Sequence, residues 1–502
     1  MTSRRYQQTL NRHQDMLLPL RVEEFVSEDN SVRAIDAYVN TLDIQSIGVN
    51  YAQGITQAGQ PPYNPLAMLK LYLYGYLQGI RSSRKLESET QRNLEVIWLI
   101  EGLRPCYKSI ANFRKDNSSA LKAANRDFIL LCKELALLGG EEVAVDGSFF
   151  KADASKAGIY TEDKLNKQLA ALEQKINDYQ QALSDQDTAD DKSGKGSLVE
   201  DPHLSDKLKR LQEKQAEKKA LQQALKDSDQ QQISTVDPDA RLMTKRGHTV
   251  AGYNAQIAVD SLHKLIVAED VTQDGNDTQQ LAPMLAKAQE VLQSDNLTGL
   301  GDAGYYDGEQ LKTCEEQGIQ VYVAIPDKSK AIAKQGRYTR DQFRYDAEQN
   351  TYTCPQNQTL TPSGNQQKNG KTFTRYQSKT ADCRPCQLAK HCLTEKARIK
   401  QLYRWEHEAV VDRHKQRMAQ NPQRMKQRGA LVEHPFGTLK HRAGMHHFLM
   451  RGLEKCRGEF SLMTLAYNFI RVINILGIDK LRDYCVQRSE NALKNAQSYA
   501  ST

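Results

Sequence analysis

The feature that most constrains the fold is a series of short apolar runs between residues 142 and 326, separated by segments with helical periodicity. The run EEVAVDGSFFKA is followed, beyond a long polar stretch, by GYNAQIAVDS and KLIVAEDVT, whose short connection predicts an antiparallel hairpin. The helix QQLAPMLAKAQEVLQ then leads to the run LTGLGDAG, and a second helix leads to QVYVAIP. The order β-β-β-α-β-α-β predicts an α/β domain built on one mixed sheet.

Two aspartates stand where apolar runs end, Asp146 in VAVD and Asp302 in LTGLGD. A charge at the end of a buried strand is costly unless it is paired or bound to metal. Glu433 lies far downstream in LVEHPFGTLKHRAG, in a predicted helix with Lys440 about two turns further along the same face. We expect the three carboxylates to converge, because hard oxygen ligands suit a pair of Mg²⁺ ions, or Mn²⁺ in their place, in phosphodiester chemistry.

Each carboxylate also has a simpler interpretation. A strand-end aspartate commonly caps the loop that follows it, and Glu433 suits the N-terminal turn of a helix, where the helix dipole favours a carboxylate and Pro435 fits. Lys440 is equally compatible with a solvated surface. Other aspartates of the domain are equally acidic, Asp277 among them, and most of these are expected to be turn or cap residues.

The strand order matches a ribonuclease H-like sheet, and several motifs resemble a bacterial insertion-sequence transposase of the DDE class. The motifs are VDGSFFKA, GDAGYYD and VEHPFGTLK, together with YNPLAMLKLYLYGYLQGIRSSRKLE and SIANFRKDN near the N-terminus. The resemblance extends over nearly the whole chain. It implies that Asp146, Asp302 and Glu433 hold two magnesium ions. In this family the glutamate is followed by a lysine after six intervening residues, and Lys440 stands at that distance from Glu433. The resemblance therefore implies that Lys440 contacts DNA, together with Arg428 and Arg442. Arg428 lies one residue farther from the glutamate than the family's arginine does.

A chain of 502 residues can hold two to four domains, and the pattern along it predicts two main ones, the second interrupted by two insertions. Heptad-spaced leucines predict an antiparallel helical hairpin as the first insertion, with a flexible acidic linker at 184–201. The predicted ranges are an N-terminal helical DNA-binding domain at 1–140, a catalytic domain at 141–480 with insertions at 160–232 (hairpin) and 328–400 (cysteine-bearing), and a C-terminal tail at 481–502.

Basic residues mark two candidate DNA-binding regions. Between Glu395 and Arg457 there are fifteen Lys and Arg against six Asp and Glu, in a chain whose net charge is +7. Such an excess around the Glu433 helix suits a phosphate backbone, whereas the same run alone is as compatible with a solvated helical surface. In the N-terminal block, basic and aromatic residues alternate, which fits either a structural bundle or a helix-turn-helix for site recognition; the resemblance favours recognition.

Four cysteines lie within the second insertion: Cys354, Cys383, Cys386 and Cys392. The two-residue gap between Cys383 and Cys386 is that of a zinc knuckle, and thiolates select zinc over magnesium. The other spacings are irregular and His391 is a competing ligand, so free or redox-sensitive thiols are an equal alternative to structural zinc.

The sequence therefore predicts a DNA transposase that binds the terminal inverted repeats of an insertion sequence and catalyses metal-dependent cleavage and strand transfer. Its partners would be transposon ends and target DNA, and joining two ends requires at least a homodimer. An odd number of cysteines, nine, and no N-terminal apolar run predict a cytoplasmic protein without a membrane segment. The alternative is an inactive or domesticated descendant that binds DNA without cutting it.

Overall fold

The chain folds as two compact units. The computed structural model describes residues 21–49, 62–193, 202–228, 230–245, 247–327, 334 and 336–500. The first unit comprises Met1–Phe128, Ala443–Met445 and Ser461–Thr502, and the second comprises Ile129–Arg442 and His446–Phe460. Residues 461–480 thus group with the N-terminal helices, whereas the sequence-based division assigned them to the catalytic domain.

The second unit contains both helices and strands, while the regular elements of the first unit, among its described residues, are helices. In chain order, the elements are α1 (Ser31–Asn40), α2 (Pro65–Leu77), α3 (Ser83–Arg92), α4 (Leu94–Leu99), α5 (Tyr107–Asp116), α6 (Ser118–Glu134), β1 (Glu142–Lys151), β2 (Ile159–Thr161), α7 (Glu162–Ser193), α8 (Pro202–Lys226), β3 (Gln232–Ser234), β4 (Arg241–Lys245), β5 (His248–Asp260), β6 (Ile266–Thr272), α9 (Leu281–Leu292), β7 (Thr298–Gly301), α10 (Gly308–Glu316), β8 (Gln320–Val323), β9 (Arg344–Asp346), β10 (Thr351–Thr353), β11 (Thr359–Lys368), β12 (Lys371–Gln377), α11 (Thr380–Cys383), α12 (Ala389–Cys392), β13 (Gln401–Trp405), α13 (Glu408–Gln420), α14 (Arg424–Gly437), α15 (Leu453–Leu476) and α16 (Ile478–Ala500).

Aromatic side chains form the centre of the first unit. The ring centroid of Tyr38 lies 4.9 Å from that of Phe128 and 6.0 Å from that of Phe469, and all three side chains are fully buried. Helix α16 packs along α1 and buries Leu481 completely. The range predicted as a C-terminal tail, 481–502, is thus helical as far as Ala500.

The central sheet of the second unit has the strand order β6-β5-β1-β7-β8. Strand β5 is long enough to pair with two strands on the side away from β1: its first residues pair with β4 and its later residues pair with β6. Strand β5 is antiparallel to both β1 and β6, whereas β7 is parallel to β1 and β8 is parallel to β7. This mixed order is the ribonuclease H-like sheet, and the predicted fold class is confirmed. One apolar core lies between the sheet and helices α9, α10 and α13.

The two insertions leave the sheet at separate connections. In the hairpin, Leu165 of α7 packs against Leu221 and Leu225 near the end of α8, so the helices run antiparallel. Helix α7 continues to Ser193, so the predicted linker is helical in its first half; residues 194–201 lie outside the described part. The cysteine-bearing insertion forms a five-stranded antiparallel sheet in the order β13-β12-β11-β10-β9. It ends at Trp405, five residues beyond the predicted boundary, and residues 328–333 and 335 are not described.

Within the described ranges, no helix by itself has the length and hydropathy needed to cross a bilayer; α15 and α16 reach them only as a pair, with a bend of 110° between them.

Leu481→Ala should destabilise the first unit by about 2–5 kcal/mol, because a fully buried leucine leaves a cavity when it is truncated. The chain has two tryptophans, Trp98 in the first unit and Trp405 in the second. In a Trp405→Phe background, urea unfolding followed by fluorescence therefore reports on the first unit. The matched control is Val486→Ala on the same helix, whose side chain is 47% exposed and whose loss should change stability by less than about 0.5 kcal/mol. Equal midpoints for the two variants would show that α16 does not support this unit.

Candidate active site

The pairing of β1 with β7 brings two of the predicted site residues together. The parallel register aligns Glu142 with Thr298 and Ala144 with Leu300, and its continuation aligns Asp146 with Asp302. Residues aligned in this way point to the same face of a parallel sheet. Asp146 lies in the middle of the ten-residue β1, so its prediction as a strand-end residue is wrong; it is β7 that ends beside it.

Arg428 of α14 joins the two aspartates. Its Nη2 atom lies 2.6 Å from Asp146 Oδ1 and 3.8 Å from Asp302 Oδ2. The side chain of Arg428 is only 15% exposed, and Asp302 is the more open carboxylate at 39%. The pKa of Asp146 is raised, chiefly because burial disfavours the charged form; the positive charge of Arg428 opposes this shift and the negative charge of Asp302 adds to it.

Asp302 also performs the capping role that the sequence left open. It precedes the short 3₁₀ helix Ala303–Tyr305, and its Oδ1 atom accepts a hydrogen bond of 2.8 Å from the backbone N–H of Gly304. The capping bond fixes one carboxylate oxygen, while Oδ2 faces Arg428. The two interpretations of Asp302, cap and site residue, are therefore compatible.

Helix α14 runs across the sheet and carries the third predicted carboxylate. It packs on β1 and β7, and it starts with Arg424 paired to Glu142 and placed 5.2 Å from the ring centroid of Tyr322. Glu433 lies near the end of this helix, so its interpretation as an N-terminal helix carboxylate is wrong. Its side chain is exposed, and within the described residues no hydrogen bond or ion pair joins it to Asp146 or Asp302.

The structure thus brings together two of the three predicted carboxylates. Within the described residues, no three His, Cys, Asp or Glu side chains stand together as a ready-made metal site. The chemistry of the pair nevertheless suits magnesium: both donors are hard oxygens, both already face one cationic nitrogen, and Asp302 is open to solvent. The convergence of Glu433 with them stays a prediction.

Pro435 changes the geometry between Glu433 and Lys440. It lies in the last turn of α14, where it has no N–H to donate, and the chain continues in a π-helix, Thr438–Arg442. A π-turn is wider than an α-turn, so the expected spacing of two α-helical turns along one face does not apply.

Lys440 points into the second unit. Its Nζ atom donates to Ser148 Oγ at 2.6 Å and to the carbonyl of Phe149 at 2.7 Å, and it lies 4.5 Å from the ring centroid of Phe150. Burial, with a smaller contribution from the nearby Lys245, lowers the pKa of Lys440 to about 8. Arg442, by contrast, is exposed at the end of the π-helix.

A polar network that the sequence analysis missed lies beside the two aspartates. Asp277 is buried, and its Oδ1 atom accepts hydrogen bonds from Asn254 Nδ2 at 2.8 Å and from Gln256 Nε2 at 2.7 Å. Gln256 in turn accepts a hydrogen bond from the hydroxyl of Tyr305, and Lys245 Nζ lies 3.7 Å from Asp277 Oδ2. The sequence analysis did not single out Asp277 from the other aspartates of the domain.

The sequence held two signals for this network. Asn254 and Gln256 are polar residues two apart in an otherwise apolar strand, so they face the same side and need partners if buried. Gly147, next to Asp146, gave the second signal. A Cβ atom there would lie 2.3 Å from Gln256 Nε2 and 2.6 Å from Asp277 Oδ1, so only glycine allows this close approach.

The four cysteines of the second insertion lie together. Cys354, Cys383, Cys386 and Cys392 line one small cavity and are free thiols, each half-buried. The competing ligand His391 is exposed, and its Nδ1 atom lies 2.7 Å from the carbonyl oxygen of Gly336.

Two family models match the chain. Residues 223–469 match the "Transposase DDE domain", a range that includes Asp302, Glu433 and Lys440 but not Asp146. Residues 20–116 match the "Transposase domain (DUF772)". No curated protein matches the chain.

Among solved structures, the chain is similar to the piggyBac transposase in a synaptic complex with hairpin DNA, determined by cryo-EM. The identity is 9%, the match covers 94% of this chain and 81% of that one, and the TM-score is 0.30. A score this low supports no argument, so the fold assignment rests on the strand order and register.

The lowered pKa of Lys440 predicts a pH-dependent stability of the second unit. Below about pH 8 the folded state must keep a charge in a half-buried place, whereas the unfolded lysine titrates at its ordinary value of 10.5. Between these values the unfolded state binds more protons, so stability rises with pH. In a Trp98→Phe background, the urea midpoint of the protein should rise relative to that of Lys440→Met between pH 8 and pH 10. A constant difference between the two midpoints would contradict the buried charge.

Proposed function

Because the chain belongs to the DDE-type transposases, we propose that it binds the terminal inverted repeats of an insertion sequence, cleaves a strand at each end and transfers it to target DNA. Water would attack the phosphodiester at each end and release a 3′-hydroxyl. That hydroxyl would then attack a phosphodiester of the target and displace its 3′ oxygen.

The observation that carries this proposal is the contact of one guanidinium, that of Arg428, with both Asp146 and Asp302. Asp146 and Asp302 would hold the magnesium or manganese ions, with Glu433 as the third ligand. A bound pair of such ions activates the attacking oxygen and stabilises the leaving one. The chain's own residues then have to place the ligands and the scissile phosphate.

Arg428 is a positioning residue in this proposal. Its guanidinium holds the buried carboxylate of Asp146 in a fixed orientation through a charge-assisted hydrogen bond. The same helix presents Glu433 to solvent on the exposed side of the site. Asp302, whose contact with the guanidinium is the longer of the two at 3.8 Å, would be the more available of the two carboxylates to hold a metal ion.

Lys440 and Arg442 have different roles in this proposal. Lys440 ties the π-helix to β1 through Ser148 and Phe149, and a DNA phosphate that approaches this edge would compete with those contacts for its amino group. Arg442 is exposed and so is free to contact the backbone phosphates directly. Contacts of this kind depend on salt and carry little sequence information.

Sequence choice would come from the N-terminal helices. The basic residues there fall into two groups, buried and exposed. Arg114 is buried and donates to the hydroxyl of Tyr76 and to the carbonyl of Arg81, so it supports the bundle. Among the exposed ones, four define what we call the α3–α5 basic surface: Arg84, Lys85, Lys108 and Lys115. Arg92 of α3 is also exposed, but its charge is paired with Glu89. Arg84 stacks 4.8 Å from the ring centroid of Tyr107, which connects the two helices of this surface.

The proposed reaction requires more than one copy of the chain, and the cysteine content indicates the compartment. Two ends must be held together for strand transfer, so at least two copies of the chain would act in the synaptic complex. The nine cysteines suit a reducing compartment, and we place the protein in the cytoplasm with access to DNA.

Asp302→Asn should reduce strand cleavage to background while it leaves binding of the element's ends nearly unchanged, because the amide replaces one ligand oxygen with a nitrogen donor. Glu433→Gln should behave in the same way. Cleavage of labelled DNA with the element's own ends, in magnesium and in EDTA, measures the first effect, and gel shifts measure the second.

The matched control is Asp295→Asn, an exposed carboxylate in the loop before β7, which should cleave like the unchanged protein. Full cleavage by Asp302→Asn would exclude the proposed site. Binding of the ends without cleavage by the unchanged protein would instead favour the alternative, a descendant that no longer cuts DNA.

Replacing the four residues of the α3–α5 basic surface with alanine should lower the preference for the element's ends over random DNA about tenfold, or about 1.4 kcal/mol. Competition gel shifts with specific and random DNA measure this preference. Lys122→Ala, Lys133→Ala and Lys226→Ala remove the same kind of charge elsewhere and serve as controls. An unchanged preference in the quadruple variant would place recognition on another surface.

A further inference from the structure

The second insertion contains a cluster of thiols that the proposed reaction does not use. We call Cys354, Cys383, Cys386 and Cys392 the cysteine cluster. Its members come from three separate places: the turn after β10, the end of α11 with the turn beyond it, and the end of α12. All four line one cavity of about 30 Å³ together with Leu360 and Ser378. A space of this size accommodates one small ion and no larger ligand.

The backbone around the cluster is shaped to present sulfur atoms. After Cys354 the chain turns back through Asn357, which has a φ of 56°, and the backbone N–H of Gln358 donates to Cys354 Sγ at 3.3 Å. Ser378 Oγ lies 3.0 Å from Cys383 Sγ. The N–H of Cys386 donates to the carbonyl of Cys383 at 3.3 Å, which closes the turn of the two-residue gap. Donors of this kind stabilise negative charge on a thiolate and orient it.

The electrostatics of the cavity favour a bound cation. Four thiolates that face one another repel unless a cation lies between them, and a coordinated thiol is deprotonated outright. Zinc is the cation that thiolates select.

The insertion has few other sources of stability. Its core consists of five buried side chains, with Cys354 and Cys392 packed against them: Phe343, Tyr352, Leu360, Tyr376 and Leu402. A segment of this size with so small a core is usually stabilised by a cross-link or a metal. A disulfide is the other solution, but all four cysteines are free thiols here.

We propose that the cysteine cluster binds one structural Zn²⁺ ion in a tetrahedral site. The thiols are not at ligand positions as they stand, so binding would require new side-chain rotamers of these half-buried cysteines, with Zn–S distances of about 2.3 Å in the filled site. His391 is not a ligand, since its ring faces Gly336. This inference is independent of DNA cleavage.

The test is the zinc content of the full-length protein purified without chelators, measured by plasma mass spectrometry. We expect about one equivalent in the unchanged protein and below about 0.1 in Cys383→Ser/Cys386→Ser, because loss of two thiolates removes half of the ligands. The control is Cys106→Ser, which removes an exposed cysteine of the first unit and should keep its zinc.

A second measurement on the unchanged protein covers the case in which the double variant does not fold. Alkylation with iodoacetamide under native conditions should spare the four cluster cysteines and modify them after EDTA, as read by peptide mass spectrometry. Zinc below about a tenth of an equivalent in the unchanged protein, a disulfide among the four cysteines, or zinc retained by the double variant would each overturn the proposal.

Discussion

The parallel pairing of β1 with β7 places two like charges side by side, and the architecture of the site follows from that constraint. Asp146 is three-quarters buried, so its negative charge beside that of Asp302 is unfavourable without a cation. Arg428 supplies that positive charge at 2.6 Å. Because Arg428 belongs to α14, the need for charge compensation also fixes where this helix lies on the sheet, and therefore where Glu433 and the π-helix with Lys440 are presented.

The sheet on the other side of Asp146 is adapted to the same pair of charges. Asn254 and Gln256 are fully buried in β5, and a buried amide without a partner would cost stability. Asp277 accepts a hydrogen bond from each, and Tyr305 completes the network through Gln256. Gly147 leaves room for it directly beside Asp146. The apolar layer around α9 and α10 therefore gives way at the site to a polar layer that is hydrogen-bonded.

Both insertions enter at connections between elements and leave the strand order unchanged. The hairpin of α7 and α8 lies between β1 and β4, and the cysteine-bearing sheet lies between β8 and α13. Each has its own small core, and each begins and ends next to the elements it interrupts. Long insertions in connections cost little conformational entropy compared with changes within a sheet, so the strand pairing that aligns Asp146 with Asp302 is preserved.

The sequence by itself determined the elements, their order and the residues that carry chemistry. Alternation and helical periodicity are local, so β1, β5 to β8, and helices α9 and α10 could be recognised from short stretches, and the order implied the mixed sheet. The same local patterns identified Asp146 and Asp302 as carboxylates in apolar surroundings.

Only the tertiary structure decided which of these residues meet. The β1–β7 register joins residues 156 positions apart, and it is set by packing of the whole sheet, which no local pattern contains. For the same reason the sequence analysis did not single out Asp277, which lies in a loop and gains its role from Asn254 and Gln256 on β5. The direction of Lys440 likewise depends on a π-turn after Pro435 and on the carbonyl of Phe149, because a long flexible side chain goes where hydrogen-bond acceptors are available.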